Sequence, residues 1–289
     1  MSCKYLGVTL DRSLMYRRHL ESLRTKLISR VALLRRYAGY GWSGGATTLR
    51  TATLVLVIST AEYCAPIWCH SAHTRLIDHV INDALRIVTG CLRPTSADNL
   101  PTLAVIQPAE LRRSGTTLTL GRRVMEPGHL LHSAFSRPSS AVARRLKSRH
   151  PFVPAAQQLI SFSDNNNIHA AQRASMVRGV GGQPHKTPHF NSRLRYTSPP
   201  NDPPKRAWVR LNRLRTGVGR FRPCLYKWDM ASSAACECGA EEQTVDHVIL
   251  QCPVHRPPHK LQDLTILDDE TTEWLLNTCP KSSAAKQWI

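Results

Sequence analysis

The sequence lacks any long apolar run. Its most apolar stretch, Thr51–Ala61, holds only 11 uncharged residues between Arg50 and Glu62, whereas a membrane-spanning helix needs about 20. Met1 to Tyr5 also lack the apolar core of a secretory signal peptide. We therefore expect a buried helix at Thr51–Ala61 and no association with a membrane.

An even set of cysteines is also missing. The chain has nine cysteines, and an odd number does not form a complete disulfide framework. Free thiols persist where the compartment is reducing. The cysteine count therefore predicts an intracellular protein, nuclear or cytoplasmic.

Acidic residues are scarce, and they are unevenly placed. The chain has 39 Lys and Arg against 20 Asp and Glu, a net charge of +19. Nine acids and four bases lie in 236–289, a balance of −5, so the first 235 residues carry 35 bases against 11 acids, or +24. Such a polycation attracts phosphate backbones, which predicts RNA or DNA as a partner. An ordinary basic surface or a solvated arm is the alternative.

Hydrophobic periodicity predicts a mainly α protein. A strand is predicted at 4–10, followed by helices from about Asp11 or Ser13 to Gly39, from 46 to 63 with Pro66 as its stop, from 74 to 89, and from 109 to 125. Gly179–Pro204 has three glycines, six prolines and no apolar period, which is typical of a linker. The sequence thus predicts three segments: a helical region at 1–130, a partly disordered linker at 131–204, and a small module at 205–289.

Four potential metal ligands lie close together in the last segment. Cys236, Cys238, His247 and Cys252 fall within 17 residues, and three thiols with one imidazole suit a structural zinc site. One residue between the first two cysteines is a shorter gap than usual. A chance cluster of reduced cysteines is the alternative, and His255 and His259 are competing imidazoles.

A strongly basic stretch precedes this cluster. The cations in it, with no acid among them, are Lys205, Arg206, Arg210, Arg213, Arg215, Arg220, Arg222 and Lys227. At 100° per residue Arg206, Arg210 and Arg213 share one helix face, and Trp208 and Leu211 lie opposite. The arginines are candidate phosphate contacts, and Lys26 and Arg30 on the cationic face of the first long helix are two more. A solvated helix face is the alternative.

Four aromatic residues in this stretch are candidates either for base stacking or for the core. They are Trp208, Phe221, Tyr226 and Trp228.

Three blocks of the sequence resemble one family. The first block is Lys4-Tyr5-Leu6-Gly7-Val8 with His19, and the second is Ala61-Glu62-Tyr63-Cys64-Ala65-Pro66-Ile67-Trp68. The third is Leu214-Arg215-Thr216-Gly217 with the Cys/His cluster. They resemble the region after the catalytic core in non-LTR (LINE-type, jockey-like) retrotransposon reverse transcriptases. The resemblance implies the end of a palm, a thumb and a C-terminal zinc segment that bind nucleic acid, with Tyr5, Leu6 and Gly7 near the primer end.

The catalytic part of that family has no counterpart here. Its reverse transcriptases hold two metal ions with a Tyr/Phe-x-Asp-Asp turn, and the sole adjacent pair in this sequence, Asp268-Asp269, lies in an acidic C-terminal stretch. We therefore expect no catalytic residues and no polymerase activity from this chain alone. Three interpretations stay open: part of a polymerase encoded on a longer frame, a free-standing nucleic-acid-binding remnant, or a non-functional relic.

The loop around the cluster is itself acidic. It carries Glu237, Glu241, Glu242 and Asp246, and three thiolates around one Zn²⁺ add a further net negative charge. The metal site is therefore expected to brace the last module, while the arginines contact phosphate.

Overall fold

The structure is a computed structural model that describes residues 2–39, 45–136, 152–165, 203–258 and 268–278. Its described part is mainly helical with one two-stranded sheet, which confirms the predicted fold class. Most of the predicted linker lies outside the described residues. The three-segment division stays a prediction.

A β-hairpin opens the chain in place of the single strand predicted at 4–10. Strands β1 (Ser2–Tyr5) and β2 (Val8–Asp11) pair antiparallel, with Tyr5 opposite Val8. The turn between them has φ of 44° at Leu6 and 82° at Gly7, and glycine adopts such angles at little cost. The prediction was wrong because it extended one strand through Gly7, the residue in 4–10 that indicates a turn.

The helices follow in chain order. They are α1 (Arg17–Gly39), α2 (Ala46–Thr53), a π-helical turn (Leu54–Ile58), α3 (Ser59–Ala61), α4 (Ala65–Trp68), α5 (Arg75–Thr89), α6 (Asn99–Leu103), α7 (Ala109–Val124), α8 (His132–Ser136), α9 (Phe152–Asn165), α10 (Lys205–Thr216), α11 (Arg222–Lys227), a second π-helical turn (His247–Gln251) and α12 (Asp269–Thr278). Those predicted at 74–89 and 109–125 agree with α5 and α7 to within one residue.

Two details of the predicted helix ends were wrong. Helix α1 begins at Arg17, and the Asp11 carboxylate accepts a hydrogen bond from the Met15 backbone N–H at 2.7 Å instead of capping the helix. Pro66 lies in the first turn of α4, where its missing N–H costs nothing. The chain breaks between α3 and α4 at Cys64, which has a left-handed φ of 53°.

The chain forms two compact units. The first comprises Met1–Leu34, Ala52–Ala84 and Gln107–Arg178, and the second comprises Arg35–Thr51, Leu85–Ile106 and Gly179–Ile289. In the first unit, Leu20, Leu27 and Leu34 are buried along one side of α1. Helix α9 packs on α7, where Gly121 leaves room for Ala156. Arg112 of α7 also forms an ion pair with Glu62 at 2.7 Å.

The core of the second unit joins the basic helix to the Cys/His module. Its buried members are Ala46, Ala207, Trp208, Leu211, Leu214, Phe221, Val245, Ile249 and Leu275. Val245 and Ile249 come from the module that carries the Cys/His residues, and Trp208 and Leu211 come from the apolar side of α10. Trp208 and Leu211, which the sequence places on the apolar side of α10, are buried and pack with the module.

Candidate metal centre and adjoining basic helix

Four side chains converge in the second unit. The ligand atoms of Cys236, Cys238, His247 and Cys252 all lie within 4.8 Å of one another. The Cys236 and Cys252 Sγ atoms are 3.7 Å apart, and Cys238 Sγ is 3.0 Å from His247 Nε2. A tetrahedral Zn²⁺ with Zn–S bonds of about 2.3 Å holds its sulfurs about 3.8 Å apart. The four side chains could therefore hold a metal ion.

Local backbone contacts bring these ligands together. Cys236 N–H donates to the Ala240 carbonyl at 2.9 Å, and Gly239 N–H donates to the Cys236 carbonyl at 3.1 Å, closing a tight turn. Gly239 has a φ of 94°, which glycine adopts most readily. On the other side, the Thr244 hydroxyl accepts from His247 N–H at 3.1 Å, and Cys252 N–H returns to the His247 carbonyl at 2.7 Å.

A buried glutamine contacts the first thiol. Gln243 Nε2 donates to Cys236 Sγ at 3.8 Å, and its Oε1 accepts from Arg222 backbone N–H at 3.3 Å. Burial alone raises the pKa of the Cys236 thiol, but hydrogen bonds from Cys238, Cys252 and His247 outweigh it and lower the pKa to about 7. The thiolate, which is the metal-binding form, is therefore accessible near neutral pH. Gln243 was not predicted as part of the site, because a single glutamine in a loop has no distinguishing pattern.

An ion-pair network lies at the edge of the cluster. Glu237, between the first two cysteines, contacts Arg222 Nη2 at 3.2 Å and His255 Nε2 at 3.5 Å. His255 thus faces Glu237 and is not among the four converging ligands, while His259 lies outside the described residues. The Arg222 guanidinium compensates part of the negative charge that the sequence places on this loop.

The basic side chains of α10 contact the carboxyl ends of three other helices. Lys205 Nζ donates to the Ala38 carbonyl in the last turn of α1. Arg210 Nη1 donates to the Leu275 carbonyl at 2.6 Å and to that of Leu276, both near the end of α12. Arg213 Nε donates to the Gly90 carbonyl at 3.2 Å, directly after α5. Helix ends leave such carbonyls unpaired and carry partial negative charge, so these cations stabilise them.

Asn212 completes the contact with α5, and Arg215 belongs to the core. The Asn212 side chain is fully buried and donates from Nδ2 to the Thr89 carbonyl at 3.1 Å. Arg215 is also buried, with its guanidinium carbon 5.6 Å from the centre of the Trp208 ring and its Nη1 3.3 Å from Asn212 Oδ1. Asn212 was not predicted as a contact residue, since nothing in the sequence pairs it with Thr89.

The other predicted contact residues differ in exposure. Arg206, Arg220, Lys26 and Arg30 are exposed, and Arg222 is half-buried. Arg30 also donates to the Leu56 carbonyl at 2.9 Å. The hairpin tip is open, with Tyr5 66% and Leu6 71% exposed, and the Tyr63 hydroxyl donates to the Leu6 carbonyl at 3.1 Å.

The aromatic candidates divide between core and surface. Trp208 and Phe221 are core residues. Trp228 is half-buried, and Tyr226 is exposed. Tyr226, 54% exposed, is therefore the member of the predicted stacking set that lies on the surface.

The adjacent aspartates start a helix. Asp268 Oδ1 accepts from Thr271 N–H at 2.7 Å, and Asp269 is the first residue of α12. A carboxylate that accepts an N–H of the first helical turn is a helix N-cap. This contact gives Asp268 a structural role.

Two curated proteins are similar to this chain over most of its length. The Retrovirus-related Pol polyprotein from type-1 retrotransposable element R1 4 of Nasonia vitripennis is 26% identical over 264 residues, which are 87% of this chain and 60% of that protein. The Putative 115 kDa protein in type-1 retrotransposable element R1DM of Drosophila melanogaster is 22% identical over 275 residues, 92% of this chain and 25% of that protein. No family model and no solved structure matches.

These matches support a retrotransposon-derived protein of non-LTR origin. The chain spans about three fifths of the first relative and a quarter of the second.

Among the helices that the structure describes, none has the length and apolar character needed to span a bilayer.

Proposed function

We propose that the chain is the C-terminal part of a retrotransposon RNA-directed DNA polymerase, where it binds nucleic acid without catalytic aspartates of its own. The similarity to two R1 element proteins over 87% and 92% of the chain carries this proposal. The net charge of +19 supports it, because a polycation of this kind binds phosphate backbones. Polymerisation would then need a catalytic part encoded upstream of Met1 or supplied by another chain.

Within this proposal, the end of the palm, the thumb and the zinc segment follow one another along the chain. The exposed hairpin tip at Tyr5, Leu6 and Gly7 lies near the primer end, and exposed Lys26, Arg30, Arg206 and Arg220 contact phosphates of RNA or DNA, together with Arg222. For Arg210, Arg213 and Arg215, phosphate contact stays a prediction, and their contacts with carbonyls and with Trp208 support a structural role.

We also propose that the Cys/His cluster holds Zn²⁺ as a structural ion. The four ligands leave no open coordination position, which favours folding over catalysis. The module they form shares its core with α10, so the ion would stabilise the helix that carries five of the eight cations of the basic stretch.

Binding measured against salt tests this function. The full chain, purified with zinc, is titrated with labelled RNA, single-stranded DNA and duplex DNA by fluorescence anisotropy at several salt concentrations. We expect little sequence preference and a log affinity that falls with log salt by about 0.9 per phosphate neutralised on duplex DNA and about 0.7 on single strands. Absent or salt-insensitive binding would contradict nucleic-acid binding.

Two further measurements separate the alternatives. A primer-extension assay on the same preparation should show no polymerisation, and extension by the chain alone would contradict the missing catalytic centre. A cooperative melt fits a functional binding protein, whereas a broad melt with exposed apolar surface favours a non-functional relic.

A further inference from the structure

One tyrosine is held in place at the break between α3 and α4. The carbonyl of Tyr63 accepts a hydrogen bond from Nε1 of the buried Trp68 at 2.9 Å. Its hydroxyl donates to the Leu6 carbonyl at 3.1 Å, in the turn of the hairpin. A Cβ added to Gly7 would lie 3.3 Å from Tyr63 Cε1, so the ring also packs against the glycine. Tyr63 is therefore fixed at its backbone, at its hydroxyl and along one edge of its ring.

The ring of Tyr63 is nevertheless open to solvent. The residue is 55% exposed, and Leu6 beside it is also exposed. An aromatic ring stabilises a fold mainly through the area that it removes from water, so a ring left in solvent contributes less in this way. Because the ring is already held in one position, it can bind a flat partner at little cost in side-chain entropy.

The surroundings of Tyr63 allow a phosphate backbone to approach. Glu62 precedes it in sequence, but the carboxylate forms an ion pair with Arg112 at 2.7 Å, which compensates its charge. Asp11 lies at the end of β2 that is far from the turn. Lys4, in β1, is exposed. These charges favour a nucleic acid as the flat partner.

We propose that Tyr63 stacks on the base at the primer end. This inference rests on the proposed function, which places the hairpin tip near that end, and it adds a further residue and a kind of contact. Bases stack on aromatic side chains with little regard to sequence, because every base has a π face. The anchored ring therefore orients the terminal base, whereas the cations of the chain bind phosphates.

A matched pair of substitutions isolates the aromatic ring. Tyr63→Phe and Tyr63→Leu both lose the hydrogen bond to Leu6 and both keep an apolar side chain, but only phenylalanine keeps a π face. The full zinc-loaded chain is titrated with a labelled DNA primer annealed to a longer RNA template, and circular dichroism checks that the variants remain folded. We expect Tyr63→Leu to bind roughly 5- to 150-fold more weakly than Tyr63→Phe, the range for loss of one stacked base. Tyr37→Leu, which removes another exposed tyrosine ring, should have little effect.

The salt dependence of the same titrations separates stacking from a phosphate contact. Tyrosine and leucine are both uncharged, so the substitution changes no counterion release at the site. The log–log salt slope of Tyr63→Leu should therefore equal that of the unmodified chain. A lower slope would show that the substitution had disturbed phosphate contacts, and it would overturn the stacking role.

A fluorescent base locates the contact. The base 2-aminopurine, whose emission depends on stacking, is placed at the 3′ end of the primer or in the middle of the duplex. We expect binding to change the emission of the terminal probe only, and we expect this change to be lost in Tyr63→Leu and retained in Tyr63→Phe. An unchanged terminal probe on the bound, unmodified chain would overturn the proposal and would favour a protein surface as the partner of Tyr63.

The two proposals fail in different ways. If the unmodified chain does not bind the primer–template at low salt, nucleic-acid binding is wrong, and stacking on Tyr63 is wrong with it. If the chain binds and the phenylalanine and leucine variants are alike, the stacking role is wrong and the general function stands.

Discussion

Val209 packs directly against Gly90, so a Cβ added to Gly90 would lie 2.2 Å from Val209 Cγ2. Gly90 follows the last residue of α5 and has a φ of 68°, the left-handed conformation that commonly ends a helix. Its carbonyl accepts from Arg213. One glycine thus ends α5, leaves space for α10 and pairs with a cation from it.

Gly90→Ala should destabilise the protein by roughly 2–5 kcal/mol. The methyl group adds left-handed backbone strain of about 1–2 kcal/mol and overpacking against Val209 of about 1–3 kcal/mol. Urea unfolding of the zinc-loaded chain measures the change.

Gly217 provides the matched control for this substitution. It also has a positive φ, 65°, but nothing lies within 4 Å of its added Cβ. Gly217→Ala should therefore destabilise the protein only through left-handed backbone strain, by about 1–2 kcal/mol. The two glycines should become equivalent in a Val209→Gly background, because alanine at 209 would keep a Cβ 2.8 Å from the added methyl group. A persistent difference in that background would exclude the steric explanation.

Arg213→Gln should lower stability and leave the salt dependence of nucleic-acid binding unchanged. The substitution removes a charge-assisted hydrogen bond to a helix end, worth about 1.5–3 kcal/mol. Arg206→Gln is the control, because this exposed residue should affect the salt slope and leave the melting temperature unchanged. A lower salt slope in the Arg213 variant, with unchanged stability, would show that Arg213 contacts phosphate.

Cys238→Ser should remove most of the bound zinc. The purified chain should carry about one Zn²⁺, measured by atomic emission, and the loss should unfold the module because metal binding and folding are coupled. Cys224→Ser is the control, since this thiol contacts the Gly217 carbonyl and lies outside the cluster. Full metal content in the Cys238 variant would show that Cys238 is not a ligand and would contradict the proposed four-ligand zinc site.

Much of the fold could be predicted from local pattern. The bounds of α5 follow from its apolar period and from Gly90, and the four metal ligands lie close enough in sequence for their spacing to indicate a site. The contacts of Arg210 and Arg213 could not be predicted this way. A phosphate oxygen and a helix-end carbonyl are both hydrogen-bond acceptors, so an arginine stripe fits either. The choice depends on Gly90 and Leu275, which are distant in sequence.

Gln243→Glu should weaken zinc binding by roughly 10- to 100-fold, the usual range for a partner of a metal ligand. The substitution keeps an oxygen for Arg222 N–H but replaces the donor to Cys236 Sγ with a negative group. Competition with a chromogenic chelator measures the affinity. Gln251→Glu makes the same charge change at an exposed position and should have little effect, so equal losses would indicate a general electrostatic cause.

Stability should fall as the pH drops below about 6.5, in part because of His19. Burial, and then the charge of Lys26, lowers the pKa of this imidazole below 6.5, and its Nδ1 accepts from Thr9 N–H at 3.4 Å. As the pH falls, the imidazole takes up a proton in the unfolded chain before it does so in the folded one. His19 therefore stabilises the fold fully above about pH 6.5, and this stabilisation is lost as the pH falls through the lowered pKa. His19→Gln should flatten the pH profile of the melting temperature. His79→Gln, at an exposed site, should leave it unchanged.

The contacts of α10 also set an order of events during synthesis. Asn212 lies 123 residues after Thr89, and Lys205 lies 167 residues after Ala38. At about 5–20 residues per second, a ribosome needs roughly 6–25 s to travel from Thr89 to Asn212. Through that interval the carboxyl ends of α1 and α5 remain hydrated on the nascent chain, and a chain released before Lys205 never completes the second unit.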